Sequence, residues 1–283
     1  MITIVADTTS SIPTEVAEQM GIPYLPQIII LGEKTYRDDY ELNSQTLLQW
    51  MKNSPTLPKT AAPPPLLYHP IFEKYSDTGD TIIVLVPSAE LSGTFRSAQV
   101  ATEEFPGRDI RVIDTQSVGS PLAMMVFEAY QWARQGVDPD TIVTRVQAMS
   151  RRQKIYFVVD TLENLHKGGR IGGAKMLMGS LLQMKPILQL TSGRIEPFEN
   201  QRTKRKAIAR LLELVVCDCP HNDDSLVTIM HNSAESEAAE LADKLKASLG
   251  VAEIKVYDIP PAILVHAGPG VIAVGFFTEM SAS

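Results

Sequence analysis

Cysteine is nearly absent from this sequence, because Cys217 and Cys219 are the only two among its 283 residues. They form no CxxC pair and have no obvious metal partners, which argues against a disulfide framework and against a zinc site. The five histidines lie at scattered positions without metal-ligand spacing. We therefore expect a reduced, cytoplasmic protein that holds no metal.

Long apolar runs and an excess of basic residues are also missing. No segment approaches the roughly 20 apolar residues that span a bilayer, and the apolar run at the N-terminus is too short for a signal peptide. The net charge of −7 argues against a nucleic-acid binder, which needs a broad basic face. What remains is 44% hydrophobic and 21% charged residues, a composition typical of a soluble globular protein of one or two domains.

Short β-forming runs alternate with helical patterns in the first half of the chain. Runs at residues 2–6, 82–86 and 110–113 each lead into a hydroxyl-rich turn and then into a helical pattern. This alternation predicts a parallel sheet in an α/β domain, with ligands bound beyond the carboxyl ends of the strands. A further strand is predicted at residues 24–30, and residues 58–65 look like an irregular, proline-rich connection. The three polar turns indicate one shared site.

The pattern changes near residues 150–154. Further strand patterns follow at residues 155–159, 187–190, 195–198, 226–230, 254–259 and 271–277. Helical patterns lie between them at residues 204–216 and 234–249. We interpret this half as a second α/β domain with a mixed or antiparallel sheet, so that the predicted domains are residues 1–152 and 153–283.

The turn after residues 82–86 contains Ser92, Gly93 and Thr94 directly before a helical pattern. A helix N-terminus exposes free N–H groups and suits a carboxylate or phosphate, and a glycine lets the backbone approach such a ligand closely. The alternative is that Ser92 simply caps the helix, as Asn43 is predicted to cap the helix at residues 44–51. Thr60 precedes a proline-rich loop and offers either a hydroxyl to a ligand or a bond that fixes its own turn.

Residues 165–175 read LHKGGRIGGAK and resemble a phosphate-binding loop only superficially. The segment lacks the Gly-Lys-Ser/Thr ending of a P-loop and the glycine spacing of a dinucleotide fingerprint. We interpret it as a structural loop with tight backbone contacts, in which Arg170 is available for an ion pair. No cofactor is expected.

His266 and a basic segment are the remaining candidates. His266 precedes a Gly-Pro-Gly turn and can serve as a donor to a buried anion, as a base, or as an ordinary structural histidine. The segment at residues 200–210 is usually a solvated helix face in such a position, although it could also dock an acidic partner or contact anionic lipid head groups.

Four motifs occur in one order along nearly the whole chain: DTTSSIP at residues 7–13, LSGTFRSA at 91–98, KGGRIG at 167–172 and HAGPG at 266–270. Together they resemble the bacterial DegV family. The resemblance implies a two-domain α/β protein that holds one long-chain fatty acid between its domains. It further implies service as an acyl carrier, whose bound carboxylate a fatty acid kinase phosphorylates for phospholipid synthesis.

The resemblance also implies site residues. The family's carboxylate contacts correspond here to Thr60, Ser92, Gly93 and His266. The family's kinase-docking region corresponds to the basic segment that begins with Arg202, Lys204 and Arg205, where transient membrane contact is a further expectation. One departure matters, since the family often has Thr-Ser-Gln-Pro where this chain has Thr60-Ala61-Ala62-Pro63.

A buried fatty acid needs an apolar tunnel as well as a hydrogen-bonded head group. Methionine is adaptable, and we name Met124, Met125, Met176, Met178 and Met184 as candidate lining, with core packing as the alternative for each. The rival function is a serine esterase or acyltransferase with Ser92 as nucleophile and His266 as base. Against it, Ser92 does not lie in a G-x-S-x-G elbow, and no acidic residue is clearly placed to orient His266, although Asp7 or Asp114 could be close to it in the fold.

Overall fold

A parallel sheet forms the first part of the fold in the computed structural model, which describes residues 1–76, 79–177 and 184–279. In spatial order its strands are β2 (Tyr24–Leu25), β1 (Ile2–Asp7), β6 (Thr81–Val86) and β7 (Asp109–Asp114). All neighbours are parallel, as predicted. Every residue of β6 is buried, because helices cover both faces of the sheet.

The covering helices separate onto the two faces. The core on one face includes residues of α1 (Thr14–Met20), α5 (Ser120–Arg134) and α6 (Pro139–Arg152). The core on the other face includes residues of α3 (His69–Tyr75) and α4 (Thr94–Thr102). Strand–helix alternation in the sequence therefore produces two apolar layers around the sheet.

A six-stranded sheet dominates the second part. Its order is β10 (Arg194–Gln201), β9 (Lys185–Thr191), β8 (Gln153–Val158), β13 (Ile272–Phe277), β11 (Thr228–His231) and β12 (Lys255–Asp258). The pair β11–β12 is parallel and the other pairs are antiparallel, so the sheet is mixed. Helices α8 (Lys204–Asp218) and α9 (Glu235–Leu249) contribute to the core on one face.

A small antiparallel sheet was not predicted. It consists of β4 (Lys34–Arg37), β3 (Ile28–Leu31) and β5 (Lys59–Ala61), in that order. The predicted single strand at residues 24–30 is wrong, since it divides around Pro26 into β2 and β3, which belong to different sheets. Proline lacks the N–H that a continuous ladder needs. Strand β5 also lies within residues 58–65, for which the sequence pattern predicts no regular structure.

The largest apolar core joins the small antiparallel sheet to the six-stranded sheet. It combines Ile29 of β3 with Leu264 of α10 (Pro261–Ala267) and with inward-facing residues of the six-stranded sheet, such as Phe157 and Ala273. Leu47 of α2 (Ser44–Asn53) and Leu165 of α7 (Glu163–Lys167) also belong to it. Short 3-10 helices occupy residues 8–10, 65–67, 172–177 and 223–225.

The two large sheets lie on opposite sides of the predicted boundary after residue 152. The parallel sheet takes its strands from residues 2–114, and the six-stranded sheet takes its strands from residues 153–277. A buried hydrogen bond connects the two parts, since Ser120 Oγ lies 2.7 Å from Thr228 Oγ1. The division into two domains stays a prediction. Across the described ranges, no helix has the length and apolarity that a membrane crossing requires.

Candidate functional site

A cavity of about 980 Å³, including its mouth, lies between the parallel sheet and the six-stranded sheet. Its apolar wall includes Ile155 and Phe157 of β8, Leu190 of β9 and Ala273 of β13. Turns that follow β6 and β7 supply the opposite wall. A site beyond the carboxyl ends of parallel strands is where the sequence pattern predicted it.

The polar residues of this wall come from distant parts of the chain. Thr60 lies on β5, Ser92 and Gly93 lie directly before α4, and His266 lies on α10. All four line the same cavity. The structure therefore brings together the residues that the sequence analysis selected, although their contact with a ligand remains a proposal.

Thr60 and His266 form a direct pair, with His266 Nε2 2.8 Å from Thr60 Oγ1. The other ring nitrogen, Nδ1, is buried and has no hydrogen-bond partner among the described residues. A buried unpaired N–H costs more than an unpaired lone pair, so we assign the proton to Nε2. The ring then donates to Thr60, and the Thr60 hydroxyl keeps its own proton for the cavity.

His266 is a neutral imidazole at pH 7. Burial, and secondly the positive charge of Arg170, lower its pKa to about 4. Desolvation disfavours the imidazolium ion, and a nearby cation repels it. His266 therefore acts as a hydrogen-bonding group in this wall and contributes no charge of its own near neutral pH.

Ser92 and Gly93 introduce α4. Ser92 Oγ lies 2.8 Å from Thr94 Oγ1 and accepts a 3.3 Å bond from the Thr94 N–H. The N-cap of α4 is Gly93, without a side-chain cap bond, so the alternative that Ser92 itself caps the helix is wrong, and Ser92 lies one residue earlier in the cavity wall. Gly93 has φ of −75°, and an added Cβ would meet only the Ala62 Cβ at 3.7 Å.

Arg170 was predicted only as an ion-pair residue in a structural loop. It lines the cavity and donates from Nε to the Leu91 carbonyl at 2.9 Å and from Nη1 to the Gly168 carbonyl at 2.6 Å. No carboxylate of the described residues pairs with it, so the cation remains available to an anion. Burial lowers the pKa of Arg170, but a guanidinium in a protein keeps its charge.

The glycines of the Arg170 loop allow its close packing. An added Cβ on Gly168 would collide with His266 Nδ1, and one on Gly172 would collide with the carbonyl oxygen of Ile195. The prediction that this glycine-rich loop makes tight backbone contacts is confirmed. Arg170 can therefore approach the Thr60–His266 pair because its loop carries glycine at these positions.

The methionines that were predicted to line an acyl tunnel lie in different environments. Met124 and Met125 are buried in the core of the parallel sheet and do not line the cavity, so their interpretation as tunnel lining is corrected to core packing. Met176 is 78% exposed, and Met184 is half-buried and absent from the cavity wall. Met178 lies outside the described residues. The methionine that does line the cavity is Met230 of β11, which sequence reasoning missed.

The basic segment lies at the start of α8, where Thr203 caps the helix by accepting from the Lys206 N–H. Arg202 and Arg205 are exposed. Lys204 is partly buried, with Nζ 3.6 Å from a Glu237 oxygen and 3.9 Å from an Asp160 oxygen. Lys206 is exposed as well, so three exposed cations remain for a partner, and the docking role predicted for Arg202 and Arg205 stays a prediction.

Two buried carboxyl groups next to the cavity were also missed. Asp7 and Asp38 are both nearly inaccessible, and burial raises the pKa of Asp7 to about 6 and that of Asp38 to about 7. Asp38 Oδ1 accepts from the Thr8 hydroxyl and from the Gln27 N–H, each at 2.7 Å. Only the placement of Asp7 at a strand end hinted at this cluster. Among the described residues, no group of histidines, cysteines and carboxylates could hold a metal ion.

Comparison with known proteins gives consistent results. Residues 1–279 match a family described as "Uncharacterised protein, DegV family". A DegV domain-containing protein of Streptomyces coelicolor is 37% identical over 276 residues, which cover 96% of this chain and 97% of that protein.

Two solved structures are similar along their full length. A DegV family protein from Thermus thermophilus, described as fatty acid binding, is 30% identical with a TM-score of 0.92, and the match covers 98% of this chain and 99% of that one. DegV from Bacillus subtilis, described as a fatty acid binding protein, is 30% identical with a TM-score of 0.85 and the same coverage.

Proposed function

The chain belongs to the DegV family, and from this membership we propose that it binds a long-chain fatty acid in the cavity between its two large sheets. The observation that carries the proposal is the composition of that cavity. The wall is mainly apolar, and it also carries donor side chains, among them Thr60, Ser92 and Arg170. Fatty acids combine an apolar chain with one anionic head group, and this wall offers a partner to each.

The apolar wall accounts for most of the binding free energy. Burying one methylene group contributes roughly 0.8 kcal/mol, so about 14 methylenes contribute about 11 kcal/mol before the costs of association. Ile155, Phe157 and Leu190 belong to one buried apolar cluster, so an acyl chain that packs against them buries its methylenes on an apolar surface.

The carboxylate needs compensation, because burying an ionised group without hydrogen bonds is prohibitive. We assign that role to the hydroxyls of Thr60 and Ser92, the Gly93 N–H at the start of α4, and His266 through its bond to Thr60. The Arg170 guanidinium adds a positive charge near this group. All of these ligand contacts are proposals, and each is testable by substitution.

The same geometry argues against the hydrolase alternative. A serine nucleophile needs a bond to its base, and the base needs an orienting partner. The described partner of His266 Nε2 is Thr60, the described side-chain partner of Ser92 is Thr94, and no described acid contacts His266 Nδ1. With a pKa of about 4, His266 is also a weak base.

We further propose that a fatty acid kinase phosphorylates the bound carboxylate in a complex docked on Arg202 and Arg205. These cations are exposed at the start of α8, where an acidic surface of the kinase can contact them. Charge-reversing both residues should slow acyl-phosphate formation by the added kinase while the Kd for the fatty acid stays unchanged. Weaker fatty acid binding in that variant would contradict the docking role. A cytoplasmic location is part of the same proposal.

The main experiment is mass spectrometry of lipid extracted from the purified protein, followed by titration of the delipidated protein with fatty acids. Ser92→Ala and Thr60→Val should each weaken binding about tenfold or more, because each removes a donor to a charged group. Ser248→Ala is the matched control, since Ser248 is exposed on α9. Protein that yields no fatty acid and binds none would refute the proposal. Ester hydrolysis abolished by Ser92→Ala would favour the enzyme instead.

A further inference from the structure

The Ser92 side chain is connected to two buried side chains at the start of α4, directly to Thr94 and through Thr94 to Gln27. Thr94 is fully buried and Gln27 is 3% exposed. Gln27 Nε2 donates to Thr94 Oγ1 at 3.0 Å, and Thr94 Oγ1 lies 2.8 Å from Ser92 Oγ. The three side chains form a hydrogen-bond chain with Thr94 at its centre, and the residues at both of its ends, Ser92 and Gln27, line the cavity.

The direction of this chain follows from the donor at its buried end. The Gln27 amide nitrogen has only protons to offer, so the Thr94 oxygen must accept from it. The Thr94 hydroxyl then keeps one proton, and its described acceptor is Ser92 Oγ.

The Ser92 hydroxyl can consequently form only one further hydrogen bond, as a donor. Its oxygen accepts from the Thr94 hydroxyl and from the Thr94 N–H, which uses both of its lone pairs. The remaining Ser92 proton points elsewhere, and the cavity is the space that this side chain faces.

We propose that Gln27 and Thr94 are positioning residues that fix the Ser92 hydroxyl as a donor, so that the site selects acceptor-only head groups, carboxylates, over head groups that also donate. This inference rests on the proposed function, since it specifies how the same site chooses its ligand. A hydroxyl set in advance as a donor does not need to reorient when the carboxylate arrives. A fatty alcohol gains less from this fixed donor, because the hydroxyl of the alcohol can either accept a hydrogen bond from Ser92 or donate one to it.

The test measures the Kd of the delipidated protein for hexadecanoic acid and for hexadecanol. Thr94→Val removes the hydroxyl with little change of shape, and we expect roughly tenfold weaker binding of the acid with a much smaller effect on the alcohol. Thr94→Ser keeps the hydroxyl and should keep the preference for the acid. Gln27→Met removes the amide donor and should lower the acid-to-alcohol preference in the same direction.

A double-mutant cycle separates positioning from general damage. If Thr94 acts through Ser92, then Thr94→Val should change the acid affinity little in a Ser92→Ala background. Thr102→Val is the control, because Thr102 ends the same helix and the described partner of its hydroxyl is the Gln99 carbonyl at 2.7 Å. Thermal unfolding of each variant monitors the fold.

The outcomes are distinguishable. Additive effects of Ser92→Ala and Thr94→Val, or equal losses for acid and alcohol, would overturn the positioning role while fatty acid binding stands. An unmodified protein that binds neither ligand would instead overturn the proposed function. Tight acid binding by Thr94→Val and Gln27→Met, with the preference retained, would also overturn the inference.

Discussion

His266 Nε2 lies 2.8 Å from Thr60 Oγ1 across 206 positions of sequence. This bond joins α10 to the edge strand β5 of the small antiparallel sheet, and both residues line the cavity. It sets the Thr60 hydroxyl as a donor to the cavity, because the imidazole N–H occupies the Thr60 oxygen. The affinity of the site should therefore depend on the residues that hold this pair in place.

Gly168→Ala should disturb the pair through steric contact. The added methyl would collide with His266 Nδ1 and lie 2.9 Å from the Asn164 carbonyl oxygen. We expect a loss of about 1–3 kcal/mol in the free energy of unfolding, together with weaker fatty acid binding. Chemical denaturation and ligand titration measure the two effects.

The control for this change is Gly93→Ala. Its methyl meets only the Ala62 Cβ at 3.7 Å, an ordinary contact, and its φ of −75° suits any residue. The free energy of unfolding should therefore change by about 0.5 kcal/mol or less. Equal destabilisation by both alanines would show that the contact of Gly168 with His266 is not what limits this loop.

The imidazole of His266 should stay neutral down to about pH 4. Burial is the main cause of its lowered pKa and Arg170 is the second, so Arg170→Met should raise the pKa only part of the way to 6.5. Because the folded-state pKa lies below the unfolded one, this group favours the folded state above pH 6.5 and destabilises it as the pH falls towards 4.

NMR titration of the His266 ring protons measures this pKa directly. Arg151→Met is the matched control, because Arg151 is exposed on α6. A midpoint near 6.5 in the unmodified protein would contradict the burial of the ring. A midpoint that does not move in Arg170→Met would contradict the influence of the guanidinium.

The gain in the free energy of unfolding that Asp38→Asn gives over the parent protein should increase as the pH rises. Burial raises the folded-state pKa of Asp38 from 3.8 to about 7, and the nearby charge of Asp7 acts in the same direction. The folded protein therefore retains this proton between about pH 4 and pH 7, where the unfolded chain has lost it. The stability that this group contributes is therefore full below about pH 4 and is lost progressively as the pH rises from about 4 to about 7.

The asparagine variant stays neutral, so its advantage over the parent should grow from pH 4 to pH 8 and reach on the order of 2 kcal/mol. Thermal unfolding at a series of pH values measures the difference. Asp243→Asn, at an exposed position of α9, should show no such trend. An Asp38→Asn advantage that shrinks with rising pH would contradict a raised pKa for Asp38.

Met230 and Met125 should respond differently to truncation. Met230 lines the cavity, so Met230→Ala should change the affinity or the chain length of the bound fatty acid. Met125 is fully buried in the core of the parallel sheet, so Met125→Ala should lower the free energy of unfolding by about 2–5 kcal/mol. Its ligand profile should match that of the parent protein. A changed lipid profile in Met125→Ala would restore it as a lining residue.

Much of the fold could be predicted because its signals are local. Strand and helix periodicity located β1, β6 and β7, and Asn43 was correctly predicted to cap α2, where its side chain accepts from the Thr46 N–H at 2.8 Å. The small antiparallel sheet escaped prediction, because its strands are short and because β3 also pairs with β5, about 30 residues further along the chain.

Part of the candidate site could also be predicted from local signals in the sequence. Hydroxyls and glycines after predicted strands indicated Ser92 and Gly93, and the resemblance to the DegV family added Thr60 and His266. Gln27 and Met230 carried no such signal, since a glutamine or methionine within a strand pattern looks like an ordinary sheet residue. Their significance depends on which neighbours the fold places beside them.

By itself, the sequence determined the α/β class, the parallel character of the first sheet and the polar turns at its strand ends, because hydrophobic periodicity and turn chemistry act over a few residues. Only the tertiary structure decided that Thr60 bonds to His266, that Gln27 reaches Thr94, and that Met230 rather than Met125 faces the cavity. Such contacts depend on how whole sheets pack against each other, and no local pattern encodes the orientation of one sheet relative to another.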